Sequence, residues 1–206
     1  MKKIVYTVLL GKNKLVLNEP KCRNDDWELV CFTDRDIKSR NWNIKKVTCS
    51  NILKKSREIK IRCDKYLDFD VCIYLDSQFI IKCNLNRFVK DNLKNNLALM
   101  RHSLRNCIYR EARHCIRKHK GDRNKIKKQI EKYSNEGFPR KFGLYACGIM
   151  IRKNNSEVVD FMKLWYDEVE EFSHRDQISF PYVLWKNPIK FDVLNFNRTR
   201  SQFKDL

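Results

Sequence analysis

The stretch Lys3-Ile-Val-Tyr-Thr-Val-Leu-Leu10, followed by Gly11, decides the fold class of this chain. Its β-branched and apolar residues are not interrupted by polar ones, which is typical of a strand buried on both faces of its sheet. Similar runs recur at 28–33, 71–75 and 97–100. Since a sheet buried on both faces has to be covered by helices, the first run already indicates an α/β protein.

Helical patterns alternate with these strands. Apolar residues four apart predict a helix over 56–67, and Ser103 is the predicted N-cap of a second helix running to 120. The other predicted elements are a basic helix to 134, a strand at 143–151, a long helix at 158–172, a broken helix at 174–185 around Pro181, and weaker strands at 42–48 and 189–194. The alternation predicts a mostly parallel mixed sheet between helices.

Length and composition support one domain over 1–206. The chain has 206 residues, of which 42% are hydrophobic, so a sizeable core can form and a disordered chain is excluded. No apolar run approaches the roughly 20 residues that span a bilayer. The nine cysteines contain no Cys-x-x-Cys pair, and no cleavage site follows the first apolar run, so we expect reduced thiols and a cytoplasmic location.

The charge of the chain is strongly positive. The 44 Lys and Arg residues against 25 Asp and Glu give a net charge of +19, which favours polyanionic partners. Ten of these cations lie between Arg110 and Lys132. They can form solvated helix faces or a nucleic-acid-binding stripe. Only Tyr109 and Tyr133 flank the stretch, so a surface on which bases stack is not evident.

Polar residues follow the predicted strands, where open α/β sheets bind their ligands. They are Thr33-Asp34, Asp76-Ser77-Gln78 and Arg101-His102. An Asp-x-Asp motif, Asp68-Phe69-Asp70, precedes its strand and is therefore expected at the opposite edge of the sheet. Asp76 is thus the better candidate for a carboxylate that faces a ligand, the alternative being a turn residue.

Three further groups of polar residues are candidates for a site. In His174-Arg175-Asp176-Gln177, Asp176 can act as a base and Arg175 and Gln177 as positioning donors, or Asp176 can cap a helix. His102 and Arg105 pair a titratable group with a fixed charge, although a structural role is as common. Arg57 and Lys60 lie one turn apart on a predicted helix, where they can hold a diphosphate or form a solvated face.

Motifs of several other enzyme classes are missing. The sequence contains no Gly-x-x-x-x-Gly-Lys-Ser/Thr, Gly-x-Gly-x-x-Gly, Gly-x-Ser-x-Gly or His-Glu-x-x-His. P-loop, dinucleotide-binding, serine-hydrolase and zinc-protease functions therefore have no support in the sequence.

Five motifs in fixed order resemble a glycosyltransferase-like family of plants, bacteria and large DNA viruses, built on the GT-A nucleotide-sugar fold. The chain is also similar to the N-terminal glycosyltransferase domain of a chlorella virus protein. The motifs are Trp27 with Val30-Cys-Phe-Thr-Asp34, Ser56-Arg57-x-x-Lys60, Ile73-Tyr-Leu-Asp76-Ser77, His102-x-x-Arg105-x-Cys-Ile-Tyr-x-Glu111, and Arg175-Asp176-Gln177-x-Ser-Phe-Pro-Tyr182.

The resemblance implies a nucleotide-sugar-binding half at 1–100 and an acceptor-binding half at 101–206. It also implies roles for single residues, which we take as expectations: Thr7, Asp34, Arg57 and Lys60 near the nucleotide, Asp76 on a metal ion, Asp176 as catalytic base, and Gln78, His102, Arg105, Arg175 and Gln177 near the sugars. Gln78 stands where the family pattern has a second carboxylate, so we expect Mn²⁺ or Mg²⁺ to bind through Asp76, diphosphate oxygens and water.

The resulting hypothesis is a metal-dependent glycosyltransferase that moves a hexose or deoxyhexose from a UDP-sugar to a glycan hydroxyl, in the host cytoplasm if the protein is viral. The expected partners are the nucleotide sugar and the glycan acceptor. A basic nucleic-acid-binding module and a catalytically silent glycan-binding domain are the alternatives. Whether further domains follow stays open.

Overall fold

Seven strands form one sheet in the computed structural model, which describes residues 1–11 and 16–204. In chain order they are β1 (Lys3–Leu9), β2 (Glu28–Thr33), β3 (Asn43–Lys46), β4 (Val71–Leu75), β5 (Leu97–Arg101), β6 (Tyr145–Lys153) and β7 (Asp192–Leu194). The helices are α1 (Ile52–Ile61), α2 (Leu85–Asn92), α3 (Ile108–Arg117), α4 (Arg123–Asn135), α5 (Ser156–Glu171), α6 (Asp176–Lys186) and α7 (Phe196–Phe203), with a short 3-10 helix at Cys63–Lys65.

The strand order is β3-β2-β1-β4-β6-β5-β7. Strands β1 to β4 are parallel to one another, and β7 is parallel to β5, whereas β6 runs antiparallel to both of its neighbours. The prediction of a mostly parallel mixed sheet is therefore confirmed. Because β6 runs the other way, its amino-terminal end lies beside the carboxyl end of β4, with Ile149 opposite Leu75.

Helices cover both faces of the sheet. On one face, α1, α3, α4, α5 and α6 pack on side chains such as Tyr6 and Val8 of β1. On the other face, Phe88 of α2 and Phe203 of α7 lie in the core that contains Val5 and Leu9. Alternate residues of β1 thus point into two different cores, as its unbroken apolar sequence predicted.

Two predicted helix starts are wrong. Helix α1 begins at Ile52, where the Asn51 side chain accepts a hydrogen bond from the Lys54 N–H, and it ends at Ile61 rather than at 67. Ser103 does not cap α3, which begins only at Ile108. The backbone N–H groups of Leu104 and Arg105 instead donate to the His102 ring, and Leu104 is 82% exposed.

Helices α2 and α7 were not predicted. Each has eight residues and begins after an asparagine, Asn84 or Asn195, whose side chain caps the first turn. So short an element contains only two turns of the hydrophobic pattern from which helices are recognised. None of the helices in residues 1–11 and 16–204 combines the length and apolar character needed to cross a membrane.

Candidate active site

A cleft of about 330 Å³ opens at the carboxyl ends of β1 and β4. Its walls come from the end of β1, the first half of α1 and the residues that follow β4. The lining residues are Val8, Leu10, Ile52, Leu53, Ser56, Arg57, Tyr74, Asp76, Ser77 and Gln78. This is the sheet edge at which open α/β sheets bind ligands.

Asp76 lies at the floor of this cleft and is partly open to solvent, with 37% of its side chain exposed. Its Oδ1 accepts a hydrogen bond of 2.7 Å from the Tyr74 hydroxyl, and its N–H donates to the Gly148 carbonyl at 2.8 Å. A Cβ atom at Gly148 would lie 2.8 Å from Asp76 Oδ2, so only glycine leaves this carboxylate its space. The antiparallel β6 therefore shapes the Asp76 position.

The Lys60 ammonium joins the two predicted carboxylates. Its Nζ lies 2.6 Å from Asp176 Oδ2 and 3.7 Å from Asp76 Oδ1. Lys60 is buried in spite of its charge, which is tolerated where a cation is paired. Burial would lower its pKa, but Asp176 and Asp76 raise it above the usual value, so Lys60 is cationic at neutral pH. Residues far apart in sequence thus meet at one ammonium group.

Asp176 is the first residue of α6 and is only 4% exposed. Burial alone would raise the pKa of this carboxyl group, but the charges of Lys60 and Arg57 hold it well below the usual value. Arg57 contributes through its Nε, which is 4.0 Å from Asp176 Oδ2 and donates to the His174 carbonyl at 2.9 Å. Asp176 is therefore ionised; it is paired with two cations and does not line the cleft.

The end of α1 that carries Lys60 is fixed by Arg152, a buried residue of β6. Its guanidinium donates to the Ile61 carbonyl at 2.7 Å and to the Lys60 carbonyl at 2.9 Å, and it also contacts the Tyr6 hydroxyl. A cation is favourable at the carboxyl end of a helix, where free carbonyls carry partial negative charge. Burial lowers the pKa of Arg152 to about 9, so it remains charged at neutral pH.

Glu111 of α3 organises a second polar cluster. It is buried, and its carboxylate lies 2.5 Å from Arg105 Nε, 3.8 Å from Arg175 Nη2 and 4.0 Å from His102 Nε2. Burial would raise the pKa of Glu111, but Arg105 keeps it below the usual value. Through Arg175, the residue before Asp176, this cluster adjoins the ion pairs of the first site. The sequence motif contained Glu111, but gave it no role.

The other predicted site residues differ in whether they line this cleft. Gln78 is exposed and lines the cleft. Thr7 does not line the cleft: its side chain is 1% exposed and lies on the opposite side of β1 from Val8. Its place near a nucleotide stays a prediction. Both carboxylate oxygens of Asp34 accept from the Gly11 N–H at 3.0 Å, which ties the ends of β1 and β2 together. The Gln177 N–H donates to Asp176 Oδ1 at 3.0 Å.

The residues around Asp76 fit a divalent cation that is bound partly by the protein and partly by a phosphorylated ligand. Among residues 1–11 and 16–204, no group of three or more His, Cys, Asp and Glu side chains could hold a metal. Asp76 therefore offers a single carboxylate, partly exposed and facing the cleft. Mg²⁺ is commonly bound by one or two carboxylates together with substrate phosphates and water, so the donor set matches an ion that arrives with a phosphorylated ligand.

Comparison with known proteins identifies the family. The sequence pattern of the TOD1/MUCI70 glycosyltransferase-like domain matches residues 62–204, well over half of the chain. The chain belongs to this family. The matched segment contains Asp76, Glu111 and Asp176 and begins just after Lys60, so the glycosyltransferase-like resemblance seen in the sequence is confirmed.

A solved structure agrees with the fold of this glycosyltransferase-like domain. The apo structure of WbbM, a bifunctional glycosyltransferase, superposes with a TM-score of 0.52 and 11% sequence identity over 94% of this chain and 38% of that chain. At this identity the similarity concerns the fold alone. The chain spans well under half the length of that enzyme. No curated protein matches, and the likeness to a viral domain stays a prediction.

Proposed function

We propose that this domain transfers a sugar, a hexose or deoxyhexose, from a UDP-sugar to a hydroxyl group of a glycan acceptor, with Mn²⁺ or Mg²⁺ as cofactor. The observation that carries the proposal is the meeting of Asp76 and Asp176 at Lys60 Nζ, beside the cleft at the ends of β1 and β4. Membership in a glycosyltransferase-like family supports the same reaction class.

The donor half of the reaction needs positive charge at the leaving group. Arg57 lines the cleft, and Lys60, although buried, lies 3.7 Å from Asp76 Oδ1, so both add positive charge where a diphosphate would bind. Asp76 would hold the metal ion, which when bound supplies Lewis-acid stabilisation of the leaving diphosphate. Charge that develops on the diphosphate as the sugar leaves is thereby stabilised by groups fixed in advance.

The acceptor half of the reaction needs a base. Asp176 is the proposed base. Because Lys60 and Arg57 lower its pKa, it is a weak proton acceptor as long as no donor is bound. A diphosphate in the cleft competes for both cations, which weakens their hold on Asp176 and brings its pKa back toward the usual carboxyl range. The carboxylate then becomes a stronger proton acceptor only when a donor is in place.

Residues of the second cluster are proposed to position the sugars. Arg175 and Gln177 flank Asp176 in the chain, and Glu111 fixes Arg105, Arg175 and His102 in one arrangement. Gln78, exposed in the cleft, is proposed to donate to the transferred sugar or to a diphosphate oxygen. In this scheme residues 1–100 supply most of the donor site and residues 101–206 most of the acceptor site.

A silent glycan-binding domain is the second candidate, and Gln78 favours it, because an amide in place of a second carboxylate weakens metal binding. The test is incubation with a panel of nucleotide sugars, with and without Mn²⁺, while free nucleotide is measured. Metal-dependent release of UDP from one donor supports the transferase. No release from any donor, with glycan binding retained, would identify a binding domain. Salt-sensitive binding of nucleic acid would instead support the basic module.

A further inference from the structure

A second cleft, of about 580 Å³, lies beside α1 next to the donor cleft. It is formed by the first half of α1, the turn between α3 and α4, and the end of α5. The lining residues are Asn51, Leu53, Lys54, Arg57, His119, Gly121, Asp122, Lys125, Tyr166, Val169, Glu170, Phe172 and His174. Nothing in the proposed donor chemistry uses this space, which is large enough for a small ligand.

The second cleft adjoins the site of reaction. Leu53 and Arg57 line both clefts, so the two spaces meet along one side of α1. His174 lies two residues before Asp176, and its carbonyl accepts the Arg57 hydrogen bond. Asp176 itself lines neither cleft, and Arg57, which lines both, lies 4.0 Å from its Oδ2. A hydroxyl group of a ligand in the second cleft would therefore approach Asp176 past Arg57, the residue that a diphosphate in the first cleft also engages.

The electrostatics of this cleft favour a negatively charged ligand. Its two carboxylates are already engaged, because Asp122 caps α4 through the N–H groups of Asn124 and Lys125, and Glu170 pairs with Lys54. Lys125 and His119 are exposed at the rim, and no ion pair of Lys125 occurs within residues 1–11 and 16–204. Burial lowers the pKa of His174, and the charges of Arg57 and Arg175 lower it further, as expected at a positive potential.

The opposite wall is apolar and aromatic. Tyr166, Val169 and Phe172 from the end of α5 face Leu53, which is 56% exposed although it is a leucine. A saccharide has C–H groups that pack on such a wall and hydroxyl groups that reach the polar rim. Aromatic and aliphatic contacts on one side and cations on the other together suit an amphipathic sugar that carries a negative charge.

We propose that the second cleft is the acceptor site, and that the acceptor is a saccharide bearing a phosphate or carboxylate group that contacts Lys125 and His119. This rests on the proposed function. In the reaction, the acceptor hydroxyl oxygen forms the new bond to the anomeric carbon. The bond from that carbon to the diphosphate oxygen breaks, its electron pair leaves with UDP, and the hydroxyl proton passes to the Asp176 carboxylate.

Histidine NMR provides a direct test of acceptor binding. The chain has four histidines, so the ring signals of His119 and His174 can be assigned with His119→Gln and His174→Gln. The probes are maltose 1-phosphate, a glucuronic-acid-containing disaccharide and neutral maltose, each titrated with UDP and diamagnetic Mg²⁺ present. Either anionic probe should shift both signals and bind more tightly than maltose, and the better of the two identifies the charged group.

Charge reversal at Lys125 separates a local contact from the general positive field. Lys125→Glu should weaken binding of the anionic probe about fivefold and leave maltose binding unchanged, in line with the modest strength of partly exposed ion pairs. The matched control is Lys127→Glu on the same helix, since Lys127 lines the separate groove between α3 and α4. Equal losses in both variants, or equal affinity of the protein for maltose and the anionic probes, would overturn the proposal.

The same samples test the transferase activity independently of acceptor binding. Release of UDP from a donor is measured in parallel, with water as acceptor. If UDP is released but neither anionic probe shifts His119 and His174, the acceptor site lies elsewhere and the transferase proposal stands. If the probes bind while no donor is turned over, the cleft is a saccharide site and the transferase proposal is wrong.

Discussion

Asp176 is the residue whose chemistry depends most on its neighbours. It is ionised, buried and paired with Lys60, so its side chain can hold the cations of the donor site, accept a proton from the acceptor, or do both. Asp176→Asn keeps the shape of the side chain and removes its charge. We expect the transfer rate to fall by about 10²–10⁴, the typical contribution of a general base.

The affinity of Asp176→Asn for UDP with Mn²⁺ distinguishes the two roles. Removing a base lowers kcat and leaves UDP affinity close to that of the wild type, whereas removing an anchor of Lys60 and Arg57 changes UDP affinity as well. A variant that still transfers sugar at nearly the normal rate would show that Asp176 is not the base. Its melting temperature serves as a check that the protein remains folded.

Gly148 leaves room for the Asp76 carboxylate because it has no side chain. A methyl group added here meets Asp76 Oδ2 at 2.8 Å and the Phe79 ring at 3.1 Å, so Gly148→Ala should displace the carboxylate while the strand keeps its hydrogen bonds. Because the end of a side chain moves more easily than backbone, the loss of stability should be small. We expect metal-dependent UDP affinity to fall about tenfold, or 1.4 kcal/mol.

The matched measurement for Gly148→Ala is UDP affinity without metal. It should change little, since Arg57 and Lys60 remain in place. An unchanged dependence of UDP affinity on Mn²⁺ would contradict the assignment of the ion to Asp76.

At the scale of elements, α1 carries both cations of the donor site and its position depends on β6. Arg152 of β6 donates to the last carbonyls of this helix from a buried position. Arg152→Met should leave the Ile61 carbonyl without this donor, whereas the Lys60 carbonyl still accepts a hydrogen bond from the Tyr6 hydroxyl. We expect a cost of about 1–3 kcal/mol in the free energy of unfolding, the cost of one unsatisfied buried group. Urea unfolding measures this, and Lys153→Met on the same strand should cost less than about 1 kcal/mol.

For the same reason, Arg152→Met should affect the site. When the end of α1 is no longer fixed, Lys60 loses its defined distance to the two carboxylates, so UDP affinity should fall in a variant that is still folded at low temperature. If UDP affinity is unchanged in the folded variant, Arg152 stabilises the fold and does not position Lys60.

At the scale of the whole molecule, the buried ion pair makes stability depend on pH in a defined direction. The pKa of Asp176 is lowered in the folded state, so its contribution is present above about pH 4, the ordinary carboxyl value, and is lost as the pH falls toward the lower folded pKa. Lys60, whose pKa is raised, contributes below about pH 10.5 and loses this contribution as the pH rises through its folded pKa.

Urea unfolding between pH 2 and pH 5 tests the acid side. The free energy of unfolding of the wild type should fall more steeply with decreasing pH than that of Asp176→Asn, by up to about 1.4 kcal/mol per pH unit, which corresponds to one proton. Parallel slopes for the two proteins would mean that the pair does not hold Asp176 ionised.

The types of the residues are enough to locate the strands and to show that they are buried. The apolar runs at 3–10, 28–33 and 71–75 form β1, β2 and β4, because burial on both faces leaves an unbroken apolar pattern that is visible in one dimension. The sequence also placed Asp76 at a ligand-binding edge and Asp68-Phe69-Asp70 at the other, where the Lys2 N–H and ammonium contact the two carboxylates.

The surroundings of the candidate residues depend on packing and could not be predicted from residue types. Thr7 is hidden, Glu111 joins His102, Arg105 and Arg175, and Lys60 stands between two carboxylates that are a hundred residues apart. The antiparallel direction of β6 brings Gly148 beside Asp76 and Arg152 to the end of α1. This direction cannot be recognised in the sequence. The physical reason is that burial is recorded in the type of each residue, whereas ion pairs and close approaches depend on how distant segments pack.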